Sequence, residues 1–214
     1  MNRTLALLLC LIALIVGWVA YSGFSTSHAN SGSLGSLAPK VQGSRVYFVP
    51  LGSFPGDDLT SLAQYYRDKY KLDITILKSI PVDDVVRDSS RGQLMAEKLV
   101  ESVRAGAPEY ANDPRAILIF FTSEDIYPTS QNWQFAFGWR LGSSHAAVVS
   151  TARMSLHYIG QPIDLNLSET RLRKMVTKDI GILYYGLPQS QNPSSVLYNG
   201  IMGIEELDHV GEDF

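Results

Sequence analysis

The sequence has one cysteine, four histidines and no basic run among its 214 residues. Because Cys10 is alone, no intrachain disulfide can form, and a zinc site built from several thiolates is excluded. The formal net charge is −3, so we expect no nucleic-acid binding through a basic face. With 45% hydrophobic residues, the chain is long enough for one domain with a substantial core and a short additional segment.

The N-terminus has the pattern of a targeting or membrane segment. Arg3 precedes an uncharged, mostly apolar stretch at residues 5–24, which is about long enough to span a bilayer. We expect residues 1–24 to be an uncleaved signal anchor, and the alternative is a signal peptide cleaved near Ala29. In the first case the protein is a single-pass cell-membrane protein with its domain outside the cytoplasm, and in the second it is secreted or periplasmic.

Residues 25–43 are rich in serine and glycine and show no hydrophobic periodicity, which predicts a flexible linker. The remaining residues, 44–214, have the patterns of an α/β domain. Strands are predicted at 45–51, 72–77, 116–121, 134–139 and 145–150, and helices at 57–70, 90–103, 168–184 and 204–208. This order indicates a mixed sheet of four or five strands, with 116–121 in its centre and the later strands antiparallel.

Several segments, in order along the chain, resemble one known family. They are Val46–Gly52, Ala63–Leu72, Arg91–Gln93, Thr122–Tyr127, Asn132–Gly138, Val148–Met154, and Met202 with Glu205–Asp208. Together they are similar to the archaemetzincin family of zinc peptidases. The resemblance covers roughly 45–210 and implies a metzincin-like (zincin) domain, in which a twisted mixed sheet carries an active-site-type helix and a methionine turn.

The resemblance also implies a cleft. Its edge would be the strand that contains Phe135, Ala136, Phe137 and Gly138, where an extended peptide can add as another strand. Met202 would form the methionine turn beneath the position of the metal.

The sequence departs from the family where catalysis takes place. In zincins a helix carries H-E-x-x-H, which places two imidazole ligands one turn apart beside a glutamate that acts as general base. Carried over position by position, the two ligand positions hold Lys178 and Ile182, and the base position holds Asp179. An ammonium repels a dication and isoleucine has no lone pair to offer. The resemblance therefore implies a degenerate member, with no metal site and no cofactor expected.

Two further features concern replacements for these ligands. His145, His157 and His209 are separated by more than the three to five residues that preset a zinc site, so we expect them to be solvated or bonded to backbone. Lys178 and Asp179 have two interpretations: the solvated face of a helix, or a lysine that fills the vacated site and pairs with Asp179 or another carboxylate near Met202.

The sequence thus predicts a membrane-tethered, non-catalytic pseudopeptidase domain that binds an extended peptide or a protein partner in the inherited cleft. Two alternatives remain open. One is an active metal-dependent peptidase or hydrolase with atypical ligands, and the other is a structural or oligomerisation domain.

Overall fold

The structure, a computed structural model, describes residues 37–141, 144–155 and 165–214. The strands are β1 (Arg45–Pro50), β2 (Ile74–Ile76), β3 (Arg87–Asp88), β4 (Gln93–Met95), β5 (Ala116–Thr122), β6 (Ile126–Tyr127), β7 (Gly138–Arg140) and β8 (Ala146–Ser150). The helices are α1 (Gly56–Tyr70), α2 (Ala96–Gly106), α3 (Pro108–Ala111), α4 (Leu165–Leu183) and α5 (Ile204–His209), with a 3-10 helix at Asp84–Val86.

The main sheet has five strands in the order β2-β1-β5-β8-β7. β5 is buried at all seven positions because helices cover both faces of the sheet, which confirms its predicted central place. The sheet is mixed, as predicted, since β7 pairs antiparallel with β8. The expectation that both later strands are antiparallel is wrong for β8, which pairs parallel with β5.

A second sheet, in the order β3-β4-β6, was not predicted, and its strand β4 lies within the helix expected over 90–103. The predicted helix over 90–103 begins only at Ala96, because Gly92 turns the chain with φ +66° and Leu94 pairs with Ile126 of β6. Leu94 is fully buried, and because a buried strand and a buried helix face both take an apolar residue, its character did not distinguish the two.

Helix α4 packs against the sheet through one face. Its buried residues Leu172, Met175, Val176 and Ile180 recur at helical spacing and join the core that contains α1. Each such side chain contributes about 1.5–3 kcal/mol when fully buried. The predicted helix, 168–184, agrees closely with the observed bounds of α4, Leu165–Leu183. Gly186, with φ +70°, follows the end of the helix.

Polar contacts fix the rotation of α4 about its axis. The guanidinium of Arg171, fully buried, donates two hydrogen bonds of 2.7 Å to the carboxylate of Asp208 on α5. The ammonium of Lys174 donates to the backbone carbonyls of Leu207 and Asp208. On another part of the α4 surface, Met175 lies against Gly138 of β7, where an added Cβ would be 3.1 Å from Met175 Cε.

The folded unit spans Leu37–Phe214, because the backbone N–H of Lys40 donates a 2.7 Å hydrogen bond to the carbonyl of Tyr184. The linker is therefore shorter at its C-terminal end than predicted. Residues 1–24, with the membrane contact predicted at 5–24, lie outside the described residues, as do His157 and the rest of the linker. None of the helices in the described ranges is long and apolar enough to cross a membrane.

Candidate functional site

A cleft of about 530 Å³ lies between the edge strand and helix α4. Lys178 and Ile182 line one wall, and Met202 lines it from the loop before α5. The opposite wall contains all four residues of the predicted edge strand, Phe135–Gly138, and continues through Trp139 and Arg140. The structure therefore brings together every position that the resemblance assigned to the site except Asp179.

The edge strand is shorter than predicted. Of the four expected residues, only Gly138 belongs to β7, whereas Ala136 makes an isolated antiparallel bridge to Ile126. Phe135 and Phe137 flank that bridge with their rings edge to face, 5.2 Å between centroids. The strand bends between the two sheets, so the apolar side chains reach the cleft from an irregular segment.

The outer edge of β7 has backbone groups directed toward the cleft. Phe137 accepts a 2.9 Å hydrogen bond from Ser150 N–H, and Leu141 N–H donates to Ala146, so these residues face β8. In an antiparallel pair the bonded residues alternate with residues whose N–H and C=O groups point the other way. Gly138 and Arg140 therefore direct their backbone groups to the open edge of the sheet.

Side chains from the small sheet hold the irregular segment in place. The amide of Gln93 donates to the Gln134 carbonyl at 2.9 Å and to Asp125 at 2.7 Å. Arg153 binds the same carboxylate and stacks over the ring of Phe135, with its guanidinium carbon 4.2 Å from the centroid. These contacts together fix the backbone next to the cleft edge.

Lys178 occupies the cleft wall and is only 5% exposed, so the solvated-face interpretation is wrong. Its ammonium donates a hydrogen bond to the backbone carbonyl of Tyr198. The expected partner, Asp179 or another carboxylate near Met202, is not the one observed, because adjacent helical residues point about 100° apart. Burial lowers the pKa of Lys178 to about 8, with a further lowering from the Arg140 charge and an opposing effect of Asp179.

Asp179 is 1% exposed and forms a salt bridge with Arg140, with 2.6 Å between Oδ1 and Nη1. Burial raises the pKa of the Asp179 carboxyl, and the neighbouring Arg140 charge opposes that rise. Its second oxygen, Oδ2, is buried and has no hydrogen-bond partner among the described residues. The residue at the base position is thus held by an arginine on β7, away from the cleft surface. The sequence analysis did not single out Arg140. An arginine that follows a predicted strand gives no indication of which distant carboxylate it will bind.

Met202 lines the cleft but is 50% exposed, so it is not packed beneath the helix in the way that a methionine turn implies. The two histidines in the described ranges lie elsewhere. His145 borders a separate small pocket with Asp113 and Ser144, and His209 Nε2 is 3.3 Å from the Ser194 hydroxyl.

Zinc, which the family resemblance implies, does not fit the residues present. Lys178 offers a cation and Ile182 a hydrocarbon where the family has imidazoles. In the described ranges, no group of three His, Cys, Asp or Glu side chains is placed to hold a metal ion. The resemblance and the local chemistry therefore disagree at this one site.

Comparison with known proteins supports the relationship. No family model matches the sequence. The archaemetzincin of Haloquadratum walsbyi is 28% identical over 157 residues, which is 71% of this chain and 84% of the relative. The archaemetzincin of Natronomonas pharaonis is 29% identical over 139 residues, 64% of this chain and 76% of the relative.

Two solved structures share the fold. Archaemetzincin from Archaeoglobus fulgidus, complexed with malonate, matches with a TM-score of 0.62 at 21% identity and covers 79% of this chain and 94% of its own. A zinc-dependent peptidase from Methanocorpusculum labreanum matches with a TM-score of 0.65 at 19% identity, over 79% and 95% of the two chains. By sequence and by fold, the chain is archaemetzincin-like.

Proposed function

We propose that the domain is a non-catalytic pseudopeptidase, which binds an extended peptide in the cleft between β7 and α4. One observation carries this proposal: the ammonium of Lys178 lies in the cleft wall at the first ligand position and bonds the carbonyl of Tyr198. A site arranged around a buried cation is organised for binding rather than for activating a metal-bound water.

The open edge of β7 supports a peptide as the ligand. Gly138 and Arg140 direct backbone donors and acceptors to that edge, which an extended peptide satisfies by adding as a strand. Beside it, Phe135, Ile201 and Met202 supply an apolar surface for the peptide side chains. Main-chain hydrogen bonds to β7 would supply affinity, and contacts of the peptide side chains with this apolar surface would supply selectivity.

The environment of Asp179 supports the absence of hydrolysis. A general base must come within hydrogen-bond reach of the water that it activates. The carboxylate of Asp179 is buried against Arg140, and it is absent from the residues that line the cleft. The competing hypothesis, a hydrolase with atypical ligands, requires metal-binding side chains from elsewhere in the chain.

The location of the domain belongs to the same proposal. Residues 5–24 would anchor the chain in the cell membrane with the domain outside the cytoplasm, or cleavage near Ala29 would release it. Fractionation of cells that express the full chain checks this: recovery in the cytosolic soluble fraction would contradict it.

The test of function uses the purified full chain and an array of extended peptides. Trp133 and Trp139 line the cleft, so tryptophan fluorescence should change saturably on binding. Mass spectrometry of the peptides should show no cleavage, and elemental analysis should show zinc well below one equivalent. Cleavage that depends on stoichiometric zinc would favour the hydrolase instead.

Two exposed apolar residues provide a matched pair of variants. Met202→Glu places a negative charge in the cleft, whereas Val85→Glu makes the same change on the 3-10 helix, and these side chains are 50% and 66% exposed. We expect Met202→Glu to lower peptide affinity at least tenfold and Val85→Glu to leave it unchanged. Self-association of the domain, with no peptide bound, would point to the oligomerisation alternative.

A further inference from the structure

The charges around the cleft do not cancel. We propose that the ligand carries a carboxylate, and that Lys178 and Arg140 receive it where the family places zinc; this inference rests on the proposed peptide-binding function. The positive charge that zinc supplies in the family would then be supplied here by the side chains of Lys178 and Arg140.

Three groups determine the net charge of the cleft wall. Arg140 on β7 and Asp179 on α4 form one salt bridge, so their charges offset each other. Lys178 on α4 is the third, and the partner of its ammonium is the uncharged carbonyl of Tyr198. Burial lowers the pKa of Lys178 most, and the charges that shift it are those of Arg140, which lowers it, and Asp179, which raises it. The cluster therefore has a net charge of about +1 at neutral pH, since the lowered pKa of Lys178, about 8, still lies above that pH.

Both cations have N–H donors that these bonds leave unused. An ammonium has three N–H donors, and Lys178 uses one on Tyr198. A guanidinium has five, and the bond from Arg140 to Asp179 uses Nη1. Both residues line the cleft, and the Arg140 side chain is 20% exposed. A carboxylate placed between them would receive charge-assisted hydrogen bonds from two elements at once.

Burial makes an anionic ligand favourable here. Removing a charge from water without an ionic partner is unfavourable, and Lys178 is 5% exposed. A bound carboxylate would offset that cost, whereas a cation or a metal ion would increase it. The apolar walls and the open strand edge suit a peptide, whose carboxylates come from an acidic side chain or from the C-terminus.

The experiment uses four acetylated hexapeptides of alanine and leucine. They carry either Glu or Gln at one central position, and either a free or an amidated C-terminus, so the two sources of the carboxylate are separated. Binding to the full chain is measured by tryptophan fluorescence at pH 7. We expect at least one carboxylate peptide to bind about tenfold to a hundredfold tighter than the neutral peptide.

Variants at Lys178 test whether its ammonium causes the preference for carboxylate peptides. Lys178→Gln retains a donor for Tyr198 but loses the charge, and it should abolish the preference, while Lys178→Arg should retain it. Lys174→Met is the matched control, because Lys174 is also buried on α4 and bonds backbone carbonyls, but it does not line the cleft. Lys174→Met should leave the preference unchanged.

The outcomes separate this inference from the function on which it rests. Equal binding of all four peptides, unchanged in Lys178→Gln but lost in Met202→Glu, would overturn the carboxylate inference and leave the peptide cleft intact. A preference that survives in Lys178→Gln would also overturn it. Failure of every peptide, including those of the array, would overturn both.

Discussion

Arg140 and Asp179 join the two walls of the cleft through a salt bridge of 2.6 Å, although they lie 39 residues apart in the sequence. The pair connects β7 to α4 next to Lys178. Its two members differ in burial, with side-chain exposures of 20% for Arg140 and 1% for Asp179. That asymmetry gives the first prediction.

Arg140→Met should destabilise the domain more than Asp179→Asn. Removal of Arg140 leaves a fully buried carboxylate without its ionic partner, at a cost of about 3 kcal/mol, whereas the arginine left by Asp179→Asn can turn toward water at a cost of about 1 kcal/mol. Urea unfolding of the two variants measures both values. Equal costs, or a larger cost for Asp179→Asn, would contradict the burial that the structure shows.

Lys178 should make the free energy of unfolding depend on pH in the alkaline range. Its pKa in the folded protein is about 8, below the ordinary value of about 10.4, so the unfolded chain binds more protons between these values. The contribution of Lys178 to the free energy of unfolding therefore rises as pH increases from about 8 to about 10.4. Lys178→Met should be more stable than the wild type at pH 7, with a gap that narrows across this window.

Thermal or urea unfolding at several pH values tests the dependence on Lys178. Lys98→Met, at an exposed position on α2, is the matched control. A gap between Lys178→Met and the wild type that stays constant from pH 7 to pH 10.4 would show that the ammonium is not desolvated in the folded protein.

Gly181 allows the C-terminal residue to pack on α4. A Cβ added there would lie 2.5 Å from Phe214 Cε1 and 2.8 Å from Leu197 Cδ2. We expect Gly181→Ala to lower the free energy of unfolding by about 1–3 kcal/mol. The loss should be smaller in a Phe214→Ala background, because one of the two obstructing side chains is then absent.

Gly106→Ala is the control for that substitution, since a Cβ at this position meets nothing within 4 Å. It should be neutral or slightly stabilising. Strictly additive effects of Gly181→Ala and Phe214→Ala would mean that the aromatic ring does not lie over α4.

Two histidines at the ligand positions should create weak zinc binding. Lys178→His combined with Ile182→His places two imidazoles one helical turn apart, facing the same cleft, but supplies no third ligand. We expect a modest rise in melting temperature with added zinc and no proteolysis. The single variant Lys178→His is the control, and a double variant that shows no zinc response would mean that these positions do not converge.

Several elements were predictable because their signals are local. The continuous apolar run of β5 and the helical spacing on α4 specify buried elements, and Gly186 marks the end of that helix. The order of family-like segments predicted the mixed α/β fold and the cleft between the edge strand and α4. The identity of Lys178, Asp179 and Ile182 predicted that the family's ligands are replaced.

Only the tertiary structure decided what those replacements contact. Lys178 binds a carbonyl 20 residues away, and Asp179 binds an arginine 39 residues away. The sequence had left open a solvated helix face or a lysine paired with Asp179 or another carboxylate near Met202. Likewise, residues 93–95 form β4 because Leu94 meets Ile126, a contact that overrides the helical pattern around it. Periodicity in a sequence reports which face of an element is buried, but the partner of a buried charge depends on which distant element packs there.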